Sequence, residues 1–252
     1  MTRSAAQVVS ARRGAASALA LSLLMGFAQP VLAGDRALID FIGYSDDFRY
    51  FAFEEFGIQD GSGFAYSNVY VIDLPADRWL AKTPIRVQAE DEATGLGAVR
   101  AEALGKAQSH IETLNISVPA DLIVLHGDGA PDREAKALEF GIPGYLPSML
   151  LEEFELSLST KPATTNDPCE EWFGTEAQGF ALTLTDENGE RIVHDDGEKL
   201  PASRGCAFNY RLYGVVMPFY TLSLEHAVAI VSVYPGGFEG PDRRFLAVPL
   251  GQ

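Results

Sequence analysis

The chain has 252 residues, 19 basic and 35 acidic, for a formal net charge of −16. That acidic excess leaves phosphate backbones and anionic headgroups without counter-charge. It excludes nucleic-acid and anionic-lipid partners and leaves cationic partners or divalent metals open.

Residues 1–33 read as an export signal. Arg3, Arg12 and Arg13 make a basic start without a single acid, and the apolar run from Ala15 to Phe27 is too short to span a bilayer. Gly26 and Pro30 break helix before Val31, Leu32 and Ala33, whose small residues suit a signal peptidase. Cleavage is expected after Ala33, with a periplasmic destination and no membrane span left. Arg12-Arg13 lacks the apolar residues that should follow a twin arginine, which favours the general route. The mature chain, Gly34 to Gln252, keeps 16 basic against 35 acidic side chains, a formal charge of −19. At 219 residues it is long enough for one sizeable core and short for two.

Strand patterns dominate the rest. Arg49–Phe56 and Asn68–Leu74 come first, followed by Glu153–Ser159 and Gly179–Asp186, where Phe154, Leu156, Leu158 and then Phe180, Leu182, Leu184 alternate with polar neighbours. Tyr210–Met217, Ala227–Tyr234 and Arg244–Leu250 complete the set. The segment "AVAIVSV" is apolar on both faces, which places it centrally in a sheet. Asn188-Gly189 predicts a hairpin turning Phe180–Thr185 onto Arg191–His194. One helix is predicted: Leu96, Val99, Ala103, Leu104, Ala107, Ile111 and Leu114 share a face, with Thr94 as N-cap and Pro119 beyond the far end. After Asp121, "DLIVLH" reads as a strand and "PDREAKALEF" as a short helix or an irregular strand.

Cys169 and Cys206 are an even pair in an exported chain, without the close spacing of a redox motif, and predict a structural disulfide. Ser45–Phe56 and Ser223–Tyr234 echo each other. Each runs from a turn through an apolar strand into a Gly-rich loop containing Gly-Phe, which suggests related, adjacent hairpins whose termini close one sheet.

Catalytic motifs are scarce. There is no G-x-S-x-G, and Ser203 lacks the glycines of a nucleophile elbow. Gly95 and Gly97 open a dinucleotide-like loop, but Arg100 stands where the third glycine belongs and Glu90, Asp91 and Glu92 would repel a pyrophosphate. His126-Gly127-Asp128 and His194-Asp195-Asp196 read as acidic turns rather than zinc ligands. "QDGSG" (Gln59 to Gly63) and "HDDGE" (His194 to Glu198) make calcium the metal these oxygen donors would suit, without the spacing of a helix-loop-helix site. Glu54 and Glu55, neighbours on a strand, must face opposite ways. A pair between one of them and Arg243 or Arg244 would tie the two end hairpins together.

Ser45, Asp47 and Arg49, followed by a strand ending Asp73-Leu74, resemble a blade start in Tol-type and prolyl-oligopeptidase-type propellers. Phe48 replaces that pattern's glycine, so the turn is expected to differ. A fuller resemblance spans essentially the whole mature chain. Phe41–Phe64, Ser203–Cys206 and Gly237–Pro249 are similar to a family of predicted secreted bacterial proteins carrying a domain of unknown function. That resemblance implies export and brings no catalytic residue.

The expected fold is mainly β: a single antiparallel domain, propeller-like or a sandwich, with one covering helix near residues 96–114. The expected function is non-catalytic binding of an unknown protein or small-molecule ligand in the cell envelope, with no cofactor. The Gly-rich loops would carry it, through Asp60, Phe64, Phe238, Glu239, Arg243 and Arg244, since aromatics and charges on loops anchor partners. The rival is an exported hydrolase of envelope polymers, supported by calcium.

Overall fold

The computed structural model describes residues 34–251. The expected signal over residues 1–33 lies outside them. The chain first makes a meander of β1 (Leu38–Ser45), β2 (Tyr50–Ile58) and β3 (Ala65–Asp73), against whose far edge lie the short strands β4 (Arg78–Trp79) and β5 (Ile85–Gln88). Helix α1 (Leu96–Thr113) leads to β6 (Ile116–Val118), which closes the other edge of this first sheet. The chain then crosses at β7 (Ala120–Leu125) and builds a separate four-stranded meander from β8 (Ala137–Pro143), β9 (Leu150–Pro162), β10 (Gln178–Asp186) and β11 (Gly189–Asp195), with the short α2 (Cys169–Phe173) between β9 and β10. It returns through β12 (Ala207–Pro218), β13 (Val228–Pro235) and β14 (Arg244–Pro249), which join β7 in a sheet ordered β14-β13-β12-β7. Every strand pairing within these sheets is antiparallel.

The β12–β14 sheet is the middle layer, and its side-chain alternation shows why. Val216, Val228, Ile230 and Phe245 face Tyr44, Phe51, Phe53 and Tyr70 of the first sheet. Their neighbours Val215, Ala229, Val231 and Val248 face Leu156, Phe180, Leu182 and Leu184 of the β8–β11 sheet. Successive strand residues point to opposite faces, so a strand apolar at every position must be covered twice. Each fully buried Val or Ile contributes roughly 1.5–3 kcal/mol, which makes this layer the main source of cohesion. Of the two architectures expected, the stacking is that of a layered sandwich. On the outer face of the first sheet, α1 packs Val99, Ala103 and Ala107 against Ala65, Val69 and Val87, the face read from its spacing.

Several local expectations need correction. The N-cap of α1 is Gly95, because the Thr94 hydroxyl and amide are both taken by Asp91 at 2.9 and 2.8 Å. The turn at Phe48 does not differ from the glycine pattern: Phe48 itself adopts φ 57°. Its amide donates to the Ser45 carbonyl at 2.9 Å, Asp47 accepts from Ser45 Oγ and the Arg49 amide, and Arg49 reaches Asp73 at 3.0 Å. The ring packs beside His226, 5.2 Å between centroids, which helps offset a conformation costing about 1–3 kcal/mol. The β10–β11 hairpin forms as expected, but Asp186 pairs with Gly189, so Glu187 and Asn188 make the tip and Gly189 (φ 122°) follows it. "PDREAKALEF" ends in strand β8 and contains no helix. The two echoing hairpins belong to different sheets, meeting through a bridge between Arg36 and Arg243 rather than closing one sheet.

β14 is an open edge, and it is guarded. The Leu250 amide donates inward to the Ala227 carbonyl at 2.9 Å, whereas the Phe245 amide donates outward to Glu55 Oε2 at 2.8 Å. With no register shift between them, Phe245, Ala247 and Pro249 all turn their backbone away from β13. One amide is capped by a carboxylate and Pro249 has none, so only Ala247 offers a free ladder position among the described residues.

A cleft along β14 as candidate site

Two adjoining cavities, of about 420 and 310 Å³, open along the β14 edge. Trp79, Ser203, Arg204 and Leu246 line both, so they form one cleft. Leu246 and its strand make the floor. One wall comes from β3–β5 of the first sheet, with Tyr70, Arg78, Trp79 and Arg86; the other comes from β11 and the segment before β12, with His194, Asp196 and Arg204.

The second wall is assembled by the "SRGC" segment. Cys169 and Cys206 form the expected disulfide, 37 residues apart. Closing such a loop stabilises by ~4 kcal/mol in the chain-entropy model. Gly205, at φ 57° and ψ −145°, occupies a backbone region that residues with a Cβ avoid. That kink lets Cys206 reach its partner while Arg204 turns back onto Asp196. The guanidinium meets both carboxylate oxygens at 3.1 and 3.2 Å and lies over the rings of Phe180 and Tyr210.

His194 bridges the two walls. Its Nε2 is 3.1 Å from Asp196 and its Nδ1 is 3.6 Å from Asp77, just before β4. Burial is the largest single influence and works against protonation. The hydrogen bonds and charges of Asp196 and Asp77 together outweigh it and raise the pKa to about 9. The imidazolium is therefore the form present at neutral pH, its Nε2 hydrogen-bonded to Asp196 and its Nδ1 facing Asp77 as an ion pair. Asp196 is itself held low by His194 and Arg204 despite its burial.

At the bottom of the smaller cavity lies Glu55, fully buried. Burial raises its pKa, opposed by Arg244, by the Phe245 amide and by Asn68 and Tyr70. Arg244 Nε stands 3.9 Å from Glu55, so the tie between the two end hairpins forms here. Its other nitrogens reach Asp35, Asp242 and the Tyr66 hydroxyl. Glu54, pointing the opposite way, pairs with Arg100 of α1 at 2.7 Å, which gives that arginine in "TGLGAVR" its structural use.

Two cations of the cleft are different. Arg78 and Arg86 are exposed, and neither guanidinium has a hydrogen bond or an ion pair among the described residues. They stand on either side of Trp79 in the chain, and its indole packs edge-on to Tyr70, 5.4 Å between centroids. Sequence reasoning missed both, because β4 and β5 are too short to show a period.

The loop residues proposed from sequence are divided. Arg244 reaches the cleft, whereas Arg243 is buried, donating to the Ala37 carbonyl and to Asp128. Phe64 packs toward the α1 core. Phe238 is 83 % exposed, and a Cβ on Gly61 would lie 3.0 Å from its ring, so the two Gly-rich loops touch. Glu239 is exposed, and Asp60 leaves one buried carboxylate oxygen without a hydrogen bond. In "HDDGE", Asp195 pairs with Lys161 and Asp196 with His194 and Arg204, so neither carboxylate is free for calcium. No group of three His, Cys, Asp or Glu side chains among the described residues is placed to hold a metal. A further open hollow, about 710 Å³, lies beside the disulfide and is lined by Asp167, Glu170, Glu171, Glu176 and Glu198.

No helix among the described residues is long and apolar enough to cross a membrane. No curated protein matches the chain. A family model described as "Predicted secreted protein (DUF2259)" matches residues 52–250, from β2 to just beyond β14, and the chain belongs to that family.

Proposed function

We propose that the protein is an exported, non-catalytic binding protein that takes an anionic small molecule with a flat apolar face into the cleft along β14. The carrying observation is the pair of unpartnered guanidiniums, Arg78 and Arg86, flanking Trp79 in a chain of formal charge −16. Most other arginines of the described chain, including Arg204 and Arg244 in the same cleft, already face a carboxylate. Guanidinium forks recognise planar carboxylates and tetrahedral oxyanions, and an aromatic face adds apolar contact. We place the protein in the periplasm, its signal removed after Ala33, where envelope and extracellular polymers supply acidic sugars.

The hydrolytic alternative is less well supported by the same residues. Ser203 lines both cavities, but in His194, the histidine of the cleft, Nε2 is hydrogen-bonded to Asp196 and Nδ1 faces Asp77 at 3.6 Å as an ion pair. An imidazolium so held has no lone pair to accept a serine proton.

The test uses the emission of Trp79 in a Trp172→Phe background, titrated with hexuronate oligosaccharides, dicarboxylates and aromatic carboxylates. The expected result is a saturable change with at least one class, weakened at least about tenfold when Arg78→Ala and Arg86→Ala are combined. No response from any class, or binding indifferent to both arginines, overturns the anionic-ligand reading. Turnover of an ester, peptide or glycoside that depends on His194 or Glu55 overturns its non-catalytic half.

A further inference from the structure

A second concentration of cations lies away from the cleft, on the loop between β7 and β8. Arg36, Arg211 and Arg243 come from the start of the described chain, from β12 and from the residue before β14, and all converge on Asp128. Arg36 Nε donates to Asp128 Oδ2 at 2.8 Å, Arg243 pairs with the same oxygen, and Arg211 Nη1 stands 3.7 Å from Oδ1. Three guanidiniums face Asp128, and the Asp132 carboxylate adds a second negative charge near Arg211, which leaves one positive charge without a carboxylate. Asp132 makes no side-chain hydrogen bond to Arg211: its carboxylate accepts from the amides of Glu134 and Ala135, and Arg211 reaches only its backbone carbonyl at 3.4 Å. His126 also turns to that carbonyl, at 3.3 Å, and Lys136 is directed to Asn209 and the Tyr210 carbonyl.

Arg211 carries the decisive atom. Its Nε is buried and has no hydrogen-bond partner. Leaving such a donor unsatisfied costs about 1–3 kcal/mol, more when it is charged, so native proteins rarely do it without an acceptor from outside the chain. Asp128 sits between Gly127 and Gly129 in a turn closed by the Ala130 amide on the Gly127 carbonyl, and a Cβ at Gly129 would meet nothing. Its carboxylate is thus mounted on backbone with room to swing.

We infer that Arg36, Arg211 and Arg243 form a binding site for a tetrahedral dianion, phosphate or a phosphate monoester, and that Asp128 occupies it as an internal stand-in. With Asp128 turned out, a dianion and Asp132 together balance the three guanidiniums, and the extra oxygens of the dianion supply the acceptor that Arg211 Nε lacks. Entry of the anion turns Asp128 outward, so Asp128 sets the apparent affinity by competing for the same guanidiniums. The site shares no residue with the cleft and does not rest on the reading proposed for it.

The test compares melting of the purified protein in phosphate and in chloride at matched ionic strength, which removes general screening. Calorimetric titrations with inorganic phosphate and with glycerol 3-phosphate accompany it. The wild type is expected to melt higher in phosphate. Asp128→Asn should tighten phosphate at least about tenfold by removing the competitor, and Arg211→Gln should abolish the response. Lys106→Ala, a cation on the exposed side of α1 and outside both sites, should leave it unchanged, which separates this site from a general loss of positive charge. Tighter binding of the ester identifies an esterified ligand, and equal binding identifies free phosphate. Equal melts in both salts for the wild type and Asp128→Asn overturn the proposal, as does a phosphate response that survives Arg211→Gln. If Asp128→Asn fails to fold, the wild type against Arg211→Gln decides by the same criterion.

Discussion

The hollow beside the disulfide and the cleft along β14 make an instructive pair. The first is a single open hollow of about 710 Å³, and its charged lining consists of carboxylates alone. The second is narrower, and nearly every acid in it has a cation at hydrogen-bond or ion-pair distance: Asp196 with Arg204 and His194, Glu55 with Arg244, Asp77 with His194. In a chain so acidic, a group of carboxylates facing water is the ordinary surface, because each keeps its hydration. The cleft is out of the ordinary for what remains once its charges are paired, namely Arg78 and Arg86. Size does not separate the two hollows, whereas residual charge does, and residual charge is what a ligand can answer.

That contrast can be broken most sharply at Arg204. Arg204→Ala strands the buried Asp196 and loosens the wall, and it is expected to cost about 3–5 kcal/mol, read as a lowered urea midpoint with loss of any Trp79 response. Reducing the Cys169–Cys206 bond touches both hollows at once, since it borders the acidic one and presents Arg204 to the other. A loss of about 2–4 kcal/mol is expected in melts with and without reductant.

A pH series sharpens the difference further, because the acidic hollow holds no histidine. His194 has a folded pKa of about 9 against an ordinary value of 6.5. Below pH 6.5 it is charged in both states and its stabilisation is complete. As pH rises, the unfolded chain releases its proton first, so the stabilisation declines and is gone above about pH 9. The expected loss is on the order of 2–3 kcal/mol, and His194→Gln should flatten that part of the profile. An unchanged slope in His194→Gln would remove His194 as the bridge between the walls. The smallest effect belongs to the acidic hollow: Glu170→Gln with Glu198→Gln should move stability by less than about 0.5 kcal/mol in melts and leave Trp79 titrations unchanged.

The layers were legible in the sequence because burial imposes a period. β13 is apolar on both faces and is covered on both; β9 and β10 alternate and are covered on one; α1 shows its helical stripe. The Glu55–Arg244 tie was legible too, since adjacent strand residues must diverge and only one can turn toward β14. The cleft was not. Arg78 and Trp79 lie on a two-residue strand, Arg86 on a four-residue one, and neither length shows a pattern. His194-Asp195-Asp196 read as an acidic turn because its partners, Asp77 and Arg204, come from other parts of the chain. What the sequence does carry is the odd company of "SRGC", an arginine and a glycine directly before a bridged cysteine. Its meaning emerges only when Gly205 is seen to kink.

The guarded edge of β14 bears on how such a molecule survives its own export. Copies that fold near one another meet while their sheets are still assembling, and a bare strand edge would recruit the next copy, and that copy another. Here the Glu55 carboxylate already occupies one amide and Pro249 withholds a second, so of the outward amides of β14 only that of Ala247 is left to a stranger strand. Taking away two donors of three weakens the pairing that would start a chain of copies along this edge.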